Sequence, residues 1–437
     1  LSLLMASPRD GSRSPVNSRR SQRFKQYWGV EATAWPRKRY EFLQDFYERH
    51  TEQFAELDSD IWQYYMDNQQ LLSELDRKYD FRERLLGLIN RKLPDWVVQV
   101  VITGSSVQGV ATRGSDCDMV IYVPDARYSF KDDKECSEHI LKIIIKLMNG
   151  DPEMLSIVQE AEYVDAMIPI LKMKVRPAAN KDKRNSFGPG EILDVDLSVV
   201  ADEFLSGLHN SRLIAGYASV DERFAPLQIF VKAWAGKNKA RDPQYRRFNS
   251  YAITLLLIHF LQCGLPVPVL PNLQQLYPTL FAMDENNYPP VVDFDEKFPE
   301  PIPDDVYAEG VQKNSMPLSQ LFFLFVCYYS QTSLKDNVIS IRGGLLMKRS
   351  TMEIAKRWQR SEIYIQDPID EHNPGRTVDN WKIIQWIFKD AQEIFLRAGR
   401  ERALFRFPTL KDLLFQYSLM CRSQFEFPTL KLIFCAF

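Results

Sequence analysis

The chain has 437 residues and is 45% hydrophobic, 12% aromatic and 26% charged, the make-up of a globular protein with more than one lobe. That composition excludes wholesale disorder, a collagen-like repeat and a disulfide-bound miniprotein. Its 55 Lys+Arg against 57 Asp+Glu leave −2, but residues 1–40 hold nine basic and two acidic side chains, so the remainder carries −9 and is a poor general binder of phosphate backbones.

Residues 1–36 form a basic tail, of which 1–24 are rich in Ser, Arg, Pro and Asn, and disorder is expected there. Residues 37–90 repeat apolar side chains at helical spacing (Phe42, Phe46, Phe54, Leu57, Ile61, Tyr65), which predicts two or three helices. The first of these, within 37–69, are expected to pack on the second, helical lobe. A β-branched run, Trp96–Ile102, ends at Gly104-Ser105, and a second predicted strand follows at Met119–Val123. A helix over 137–148 and strands over Met167–Val175 and Ile192–Val199 complete an α/β lobe over about 70–205. The last two strands are joined by a polar, glycine-bearing loop, Asn180–Gly190.

From about residue 206 the pattern turns helical, with strongly apolar helices at Leu227–Ala235 and Tyr251–Gln262. Residues 271–317 hold eight prolines, and between Asp284 and Glu309 there are nine acids and one lysine, the signature of a solvated surface loop. Leu318–Tyr329 reads as a buried aromatic helix, Val338–Ile341 as a short strand ending in a turn at Arg342-Gly343-Gly344, and 379–400 as a last amphipathic helix. The fold class is α+β: a mixed-sheet lobe, then a mostly helical lobe over 206–400, with a cleft between them. The pentapeptide Phe-Pro-Thr-Leu-Lys occurs at 407–411 and again at 427–431; one recurrence makes no solenoid, and the tail 401–437 has no assigned role.

Six cysteines without a CxxC pair and only five histidines argue against a structural zinc site. No apolar run is long enough to cross a membrane, and the stretch Leu1–Ala6 is too short for a secretion signal. The expectation is a soluble protein of the reducing cytoplasm. Because Leu1 stands in place of an initiator, the chain reads as a piece of something longer.

Chemistry concentrates in Gly104-Ser105, ten further residues, then Asp116-Cys117-Asp118. Gly104 permits a tight turn and close approach to a ligand. Ser105 is expected to cap a following helix whose N–H groups would seat a phosphate. Asp116 and Asp118, two apart on a strand, project from one face. Two adjacent carboxylates are best tolerated where a divalent cation neutralises them, and magnesium prefers such hard oxygen ligands. Asp196, in Leu193-Asp194-Val195-Asp196-Leu197, could add a third carboxylate from a neighbouring strand, with Asp194 as its rival.

This ordered set resembles the nucleotidyltransferases of the DNA polymerase β superfamily. Within them the chain resembles the template-independent GLD-type cytoplasmic poly(A) polymerases and the related terminal uridylyltransferases. The resemblance runs over about residues 37–395 and includes Gly207-Leu208-His209-Asn210-Ser211, Val231-Lys232-Ala233-Trp234-Ala235, Asn249-Ser250-Tyr251, Leu270-Pro271-Asn272-Leu273-Gln274 and Gln366-Asp367-Pro368 … His372-Asn373-Pro374-Gly375-Arg376. It implies a nucleotidyltransferase catalytic domain, a central helical lobe with its poly(A)-polymerase-associated part, and transfer of AMP from ATP to RNA 3′ ends with two magnesium or manganese ions. By the same resemblance Asp116, Asp118 and Asp196 hold the metals, while Ser105, Lys232 and Ser250 contact the triphosphate. Asn210 contacts the ribose and Tyr251 stacks on the base. Gly104, Ser211 and His372 complete the nucleotide-binding set.

Two departures bear on that assignment. Where many relatives carry a second lysine four residues after the first, this chain has Gly236, with Lys237 as the nearest substitute. In uridylyltransferases a histidine of the late block favours uracil. His372-Asn373 is present here, but its interval from Asp367-Pro368 is one residue shorter and equals that of the GLD-type enzymes, so ATP is expected and UTP is the alternative. A non-catalytic scaffold is the reading from another class, and the intact aspartates argue against it. No RNA-binding module is recognisable, so a recruiting RNA-binding protein, forming a heterodimer, is expected, with the acidic loop 284–309 and the helical lobe as candidate docking surfaces.

Overall fold

The computed structural model describes residues 37–166, 168–176, 192–201, 205–284, 312–370, 372–398 and 407–415, together with Pro289, Pro290, Ile302 and Val306. The basic tail 1–36, the loop Asn180–Gly190, most of the acidic loop 284–309 and most of 401–437 lie outside the described residues.

Strand alternation builds the first lobe. In β1 (Gln99–Thr103), β2 (Cys117–Tyr122), β4 (Ile170–Val175) and β5 (Leu193–Val200), every second side chain is apolar and buried. Cys117, Met119 and Ile121 of β2, Leu171 and Met173 of β4, and Val195 and Leu197 of β5 all join one core. Helix α3 (Leu72–Lys92) brings Phe81, Leu85, Leu88 and Ile89 onto that face, and α4 (Asp133–Asn149) brings Ile140, Leu141 and Ile144. A period of two then sends Asp118, Lys172, Asp194 and Asp196 to the opposite face. With β3 (Val158–Val164) at one edge, the sheet order is β1-β2-β5-β4-β3, antiparallel throughout except for the parallel pair β2 and β5.

Two elements of this lobe escape the apolar pattern. Helix α5 (Pro152–Ile157) starts on Asp151, whose carboxylate accepts the N–H groups of Glu153 and Met154 at 3.0 and 3.1 Å, with Pro152 in the first turn. Strand β3 (Val158–Val164) is an edge strand with Glu160 and Glu162 exposed, so alternation cannot reveal it; charge on such an edge blocks further pairing.

The second lobe is built by helices too apolar to tolerate solvent on any side. In α8 (Ser250–Cys263) every residue from Ala252 to Cys263 is buried, and in α9 (Leu318–Gln331) every residue from Leu318 to Ser330. Around them pack α6 (Ser206–Val220), α7 (Phe224–Lys237) and α10 (Trp381–Ala398), with rings such as Phe322 set edge-on to Phe230 at 4.8 Å and to Trp234 at 5.7 Å. Helices α1 (Arg37–Arg49) and α2 (Thr51–Asn68) share this second core: Phe54 of α2 stacks on Phe395 at 5.9 Å. Phe407, from the first copy of the repeated pentapeptide, packs edge-on to Phe54 at 4.9 Å; the second copy lies outside the described residues. A small sheet of order β7-β6-β8 (β6 Asn337–Ser340, β7 Leu345–Lys348, β8 Tyr364–Gln366) closes the lobe and delivers the late block to the cleft.

Candidate active site

Antiparallel register sets Thr103 opposite Asp118, and parallel register sets Asp118 beside Asp196, so backbone pairing alone brings the second and third aspartates onto neighbouring strands. Asp194 sits two positions further out, opposite Lys174, and the register thus separates the two rivals. Asp116 immediately precedes β2. Gly104 has φ +68°, and a Cβ there would collide with the Asp118 carboxylate, so only glycine lets the turn pass so close.

The helix expected after Ser105 does not form. A single 3₁₀ turn, Gly104–Ser106, is followed by irregular chain in which Gly109 and Gly114 have φ of +73° and +66°. No N-terminal phosphate seat exists there, although Ser105 itself lines the cleft. Ser106 is instead drawn inward by Lys78, a lysine only 2% exposed. Its Nζ donates to Ser106 Oγ at 2.9 Å, to Gln70 Oε1 at 2.7 Å and to the carbonyl of Ser115 at 2.8 Å, tying α3 to both the turn and the approach to Asp116. Burial holds the Lys78 pKa below its ordinary value, and nearby Cys117, Glu74, Asp118 and Asp116 oppose that shift.

The cleft is a cavity of about 600 Å³ between the lobes. Its sheet side is lined by Gly104, Ser105, Asp116 and Asp118, its helical side by Asn210, Ser211, Lys232, Ser250 and Tyr251. Asp118 is open to this cavity, yet partial enclosure, then the charges of Asp196 and Asp116, lift its pKa to about 6 against the pull of Lys78 and Lys232. Lys232, on α7, is held below its ordinary pKa by burial and by Arg241.

The remaining expected residues fall as follows. Ser211 Oγ accepts the N–H of Gly104 at 2.9 Å and donates to the carbonyl of Gly207 at 2.7 Å, so it clamps α6 to the turn. Asn210 Nδ2 reaches Asp367 at 3.3 Å, and Tyr251 Oη donates to Asp367 at 3.0 Å. Asp367 is buried, and burial and then Asp370 raise its pKa to about 6. His372 stands apart from the set: its Nδ1 is 2.9 Å from Asp370, its ring faces Trp358 at 6.4 Å, and it does not line the cavity. Lys237 also faces away, with its Nζ 5.5 Å over the ring of Phe415.

Lys78, Asp367, Gln228 and Arg241 carry no role in the sequence reading. Asp367 stands in the quoted late block, but nothing in the chain signals that it meets residues on α6 and α8 more than a hundred positions away. A lysine among apolar positions of a helix, as Lys78 is, was the available clue for the second case.

As placed, no three acidic, histidine or cysteine side chains among the described residues converge on a point that could hold a metal. Asp196 is engaged by a lysine: its two oxygens accept from Lys172 Nζ at 2.9 and 2.6 Å. In kind the donors fit a hard divalent cation: carboxylates at two paired strand positions and one just before the strand, with Asp118 discouraged from ionising by burial and then by its acidic neighbours.

Two family models match the chain, one described as the central palm domain of mitochondrial-like poly(A) RNA polymerase over residues 57–219, the other as Cid1 family poly A polymerase over residues 317–373. The chain is 28% identical over 313 residues to poly(A) RNA polymerase GLD2 of Danio rerio and 26% identical over 312 residues to that of Homo sapiens, in each case across 71% of its length. It spans 56% and 57% of those relatives, and 26% of the Caenorhabditis elegans poly(A) RNA polymerase gld-2, to which it is 28% identical. Among solved structures, the GLD-2/RNP-8 complex matches with TM-score 0.62 and 25% identity, covering 83% of this chain and 98% of that one. A Cid1 poly(U) polymerase matches with TM-score 0.60 and 21% identity over 84% of this chain and 99% of that one, a likeness of fold. The first model spans the sheet wall of the cleft together with Asn210 and Ser211, the second the late block that holds Asp367, and the chain is similar to the GLD-type poly(A) RNA polymerases.

Proposed function

We propose that the cleft transfers AMP from ATP to the 3′-hydroxyl of RNA without a template. The observation that carries this reading is a cavity with Asp116 and Asp118 on one wall and Lys232, Asn210 and Tyr251 on the other, with Asp196 paired beside Asp118 on the next strand, outside the lining. The names of the GLD2 relatives support RNA and ATP as the substrates.

On this reading the ring of Tyr251 offers a stacking face for the base, held in orientation by its bond to Asp367. Asn210 Oδ1 is buried with no partner among the described residues, which suits an acceptor for a ribose hydroxyl. Lys232 is a point charge for the triphosphate, with Ser250 on its side of the cavity and Ser105 on the sheet side. Asp116, Asp118 and Asp196 would hold magnesium or manganese, Asp196 exchanging its ammonium partner for metal. Such ions supply neutralisation of the entering and leaving oxygens of an in-line displacement. In that displacement the RNA 3′-oxygen forms a bond to the α-phosphorus, the α–β bridging bond breaks, and pyrophosphate departs.

The net charge of −9 outside residues 1–40 supports weak, distributive activity of the chain alone and delivery to RNA by an RNA-binding partner; a heterodimer working in the cytoplasm is part of the same proposal. A relative solved with RNP-8 gives a precedent for partnership. No helix among the described residues is long and apolar enough to cross a membrane.

The test is extension of a labelled oligo(A) RNA with each nucleotide alone and in competition. ATP is expected to support extension and to outcompete UTP, and Asp118→Asn is expected to abolish extension while the protein stays folded. Preference for UTP reverses the choice of base; retained extension in Asp118→Asn removes the mechanism.

A further inference from the structure

Four residues beyond Lys232 on α7, and therefore on the same face, the helix presents Gly236 with no side chain. The space above it is filled from elsewhere: a Cβ at Gly236 would stand 2.7 Å from Arg241 Nη2 and 3.4 Å from its Cζ. We propose that Arg241 supplies the second positive group that grips the triphosphate, reaching over the bare turn of α7 to stand beside Lys232. This rests on the nucleotidyltransfer reading of the cleft and adds to it the residue that replaces the missing side chain.

The backbone after α7 is folded to allow it. Lys239 has φ +63°, and the N–H groups of both Ala240 and Arg241 return to the carbonyl of Ala235, at 2.8 and 3.0 Å. The N–H of Phe248 then reaches the carbonyl of Ala240 at 3.2 Å, closing the loop against α8. Arg241 lines the cavity, and its Nη1 donates to Ser250 Oγ at 3.0 Å, which fixes the guanidinium at the first residue of α8. No carboxylate is within ion-pair distance of Arg241 among the described residues, and its buried Nε has no hydrogen-bond partner there. A half-buried guanidinium with no ion pair and only the more distant charge of Asp242 to offset its burial, crowded against Lys232, is costly unless a polyanion lies between the two cations. Across the cavity, the aspartates show the same crowding with the opposite sign. A guanidinium fork also suits phosphate oxygens in a way that an ammonium does not, because it can donate two parallel bonds.

The experiment measures affinity of the full chain for MgATP, MgUTP and inorganic tripolyphosphate, with wild type, Arg241→Ala, Arg241→Lys and the double variant Gly236→Lys/Arg241→Ala, each checked for an unchanged melting profile. Arg241→Ala is expected to weaken all three ligands by about tenfold or more, the worth of one charge-assisted hydrogen bond, while leaving AMP affinity within twofold. The double variant places an ammonium on α7 one turn after Lys232 and is expected to recover most of the loss, which a merely structural role for Arg241 would not permit. Should Arg241→Ala unfold, the folded double variant and Arg241→Lys carry the comparison. Unchanged tripolyphosphate affinity in Arg241→Ala, or a double variant that folds yet recovers nothing, overturns the inference. Equal losses for ATP and UTP with UTP the better substrate overturn only the choice of base. A wild type that binds none of the three ligands overturns the inference together with the reading beneath it.

Discussion

On the sheet side of the cleft the charged groups are placed by backbone register, whereas on the helical side they are placed by side chains bonded to one another across long stretches of chain. Asp118 is set by its pairing with Thr103 and Asp196, a constraint shared along the whole of β1, β2 and β5. Tyr251 and Asn210 are set by one carboxylate, Asp367, which lies 116 and 157 positions away. A wall built by register is rigid and intolerant of added atoms. One built by a few polar bonds can lose a bond and keep its shape, at a cost of about 0.5–1.5 kcal/mol for each neutral bond. Substitutions on the two sides should therefore differ in kind.

The sharpest break is expected at Gly104. Gly104→Ala forces a Cβ into the Asp118 carboxylate and also leaves alanine at φ +68°, so both the turn and the aspartate must move. Extension activity should fall below detection, with stability lowered by about 1–3 kcal/mol. Gly114→Ala is the control: φ is similar at +66°, but nothing lies within 4 Å of the new Cβ. It should cost only the backbone strain, about 1–2 kcal/mol, and keep most activity. Equal activity losses in the two variants, read by RNA extension and denaturant melts, would mean that the close approach to Asp118 is incidental.

Next comes Lys78. Lys78→Met leaves Gln70 Oε1, Ser106 Oγ and the carbonyl of Ser115 without their shared donor inside the protein. A loss of about 2–4 kcal/mol in stability is expected from stranded buried acceptors. Activity should drop as well, because the same ammonium fixes the approach to Asp116, and raising the magnesium concentration should recover part of it. A variant with wild-type metal dependence and wild-type melting would show that the contact is idle.

How far the sequence discloses each wall follows from the same contrast. Spacing of two on a strand is a local property, so Asp116, Asp118 and the face of Asp196 could be read from short strings. Choosing Asp196 over Asp194 needed the register, which no string of this chain contains. The helices α7, α8 and α9 were legible because long apolar runs dominate them, α8 and α9 being buried on nearly every side. Edge strand β3 was not, since its exposed glutamates carry no alternation. The helix expected after Ser105 is missing for one reason outside its own sequence and one within it: Ser106 is claimed by Lys78 from α3, and Gly109 and Gly114 at positive φ interrupt the chain beyond. On the helical wall, Asp367 and Arg241 reach the cleft through loops whose course is decided by packing.

A moderate effect is expected at the bond between Tyr251 and Asp367. Tyr251→Phe removes the donor and keeps the ring, so the KM for ATP should rise about three- to tenfold with kcat nearly unchanged. The carboxyl of Asp367 also supplies a pH signature. Burial, then Asp370, raises its pKa from 3.8 to about 6, so between those values the folded protein keeps a proton that the unfolded chain has released. Its contribution to stability therefore falls as pH rises from about 4 to 6. Asp367→Asn should flatten that part of the wild-type profile, with the difference between the two proteins growing toward pH 6 in thermal melts. Parallel profiles would place the carboxyl at an ordinary pKa.

The smallest effect is expected at His372, where local sequence and structure point in different directions. The His-Asn pair divides its labour. Asn373 is fully buried, with Oδ1 accepting the N–H groups of Ile365 and Gly375 at 3.0 and 2.9 Å and Nδ2 donating to the carbonyl of Ile363 at 2.9 Å, so it holds the late block together. His372 contributes its backbone, whose carbonyl accepts the N–H of Asp367 at 3.3 Å, while its side chain is half exposed beside Asp370. An imidazole in that position has no path to a base stacked on Tyr251 unless the loop carrying Asp367 is rebuilt. His372→Ala should then leave the KM values for ATP and UTP within about twofold and their ratio unchanged, because truncation beyond the cavity lining removes no contact made there. A shift of the ATP-to-UTP ratio by tenfold or more would mean that the loop reorders when nucleotide binds, and that the helical wall, unlike the sheet wall, is assembled only around its substrate.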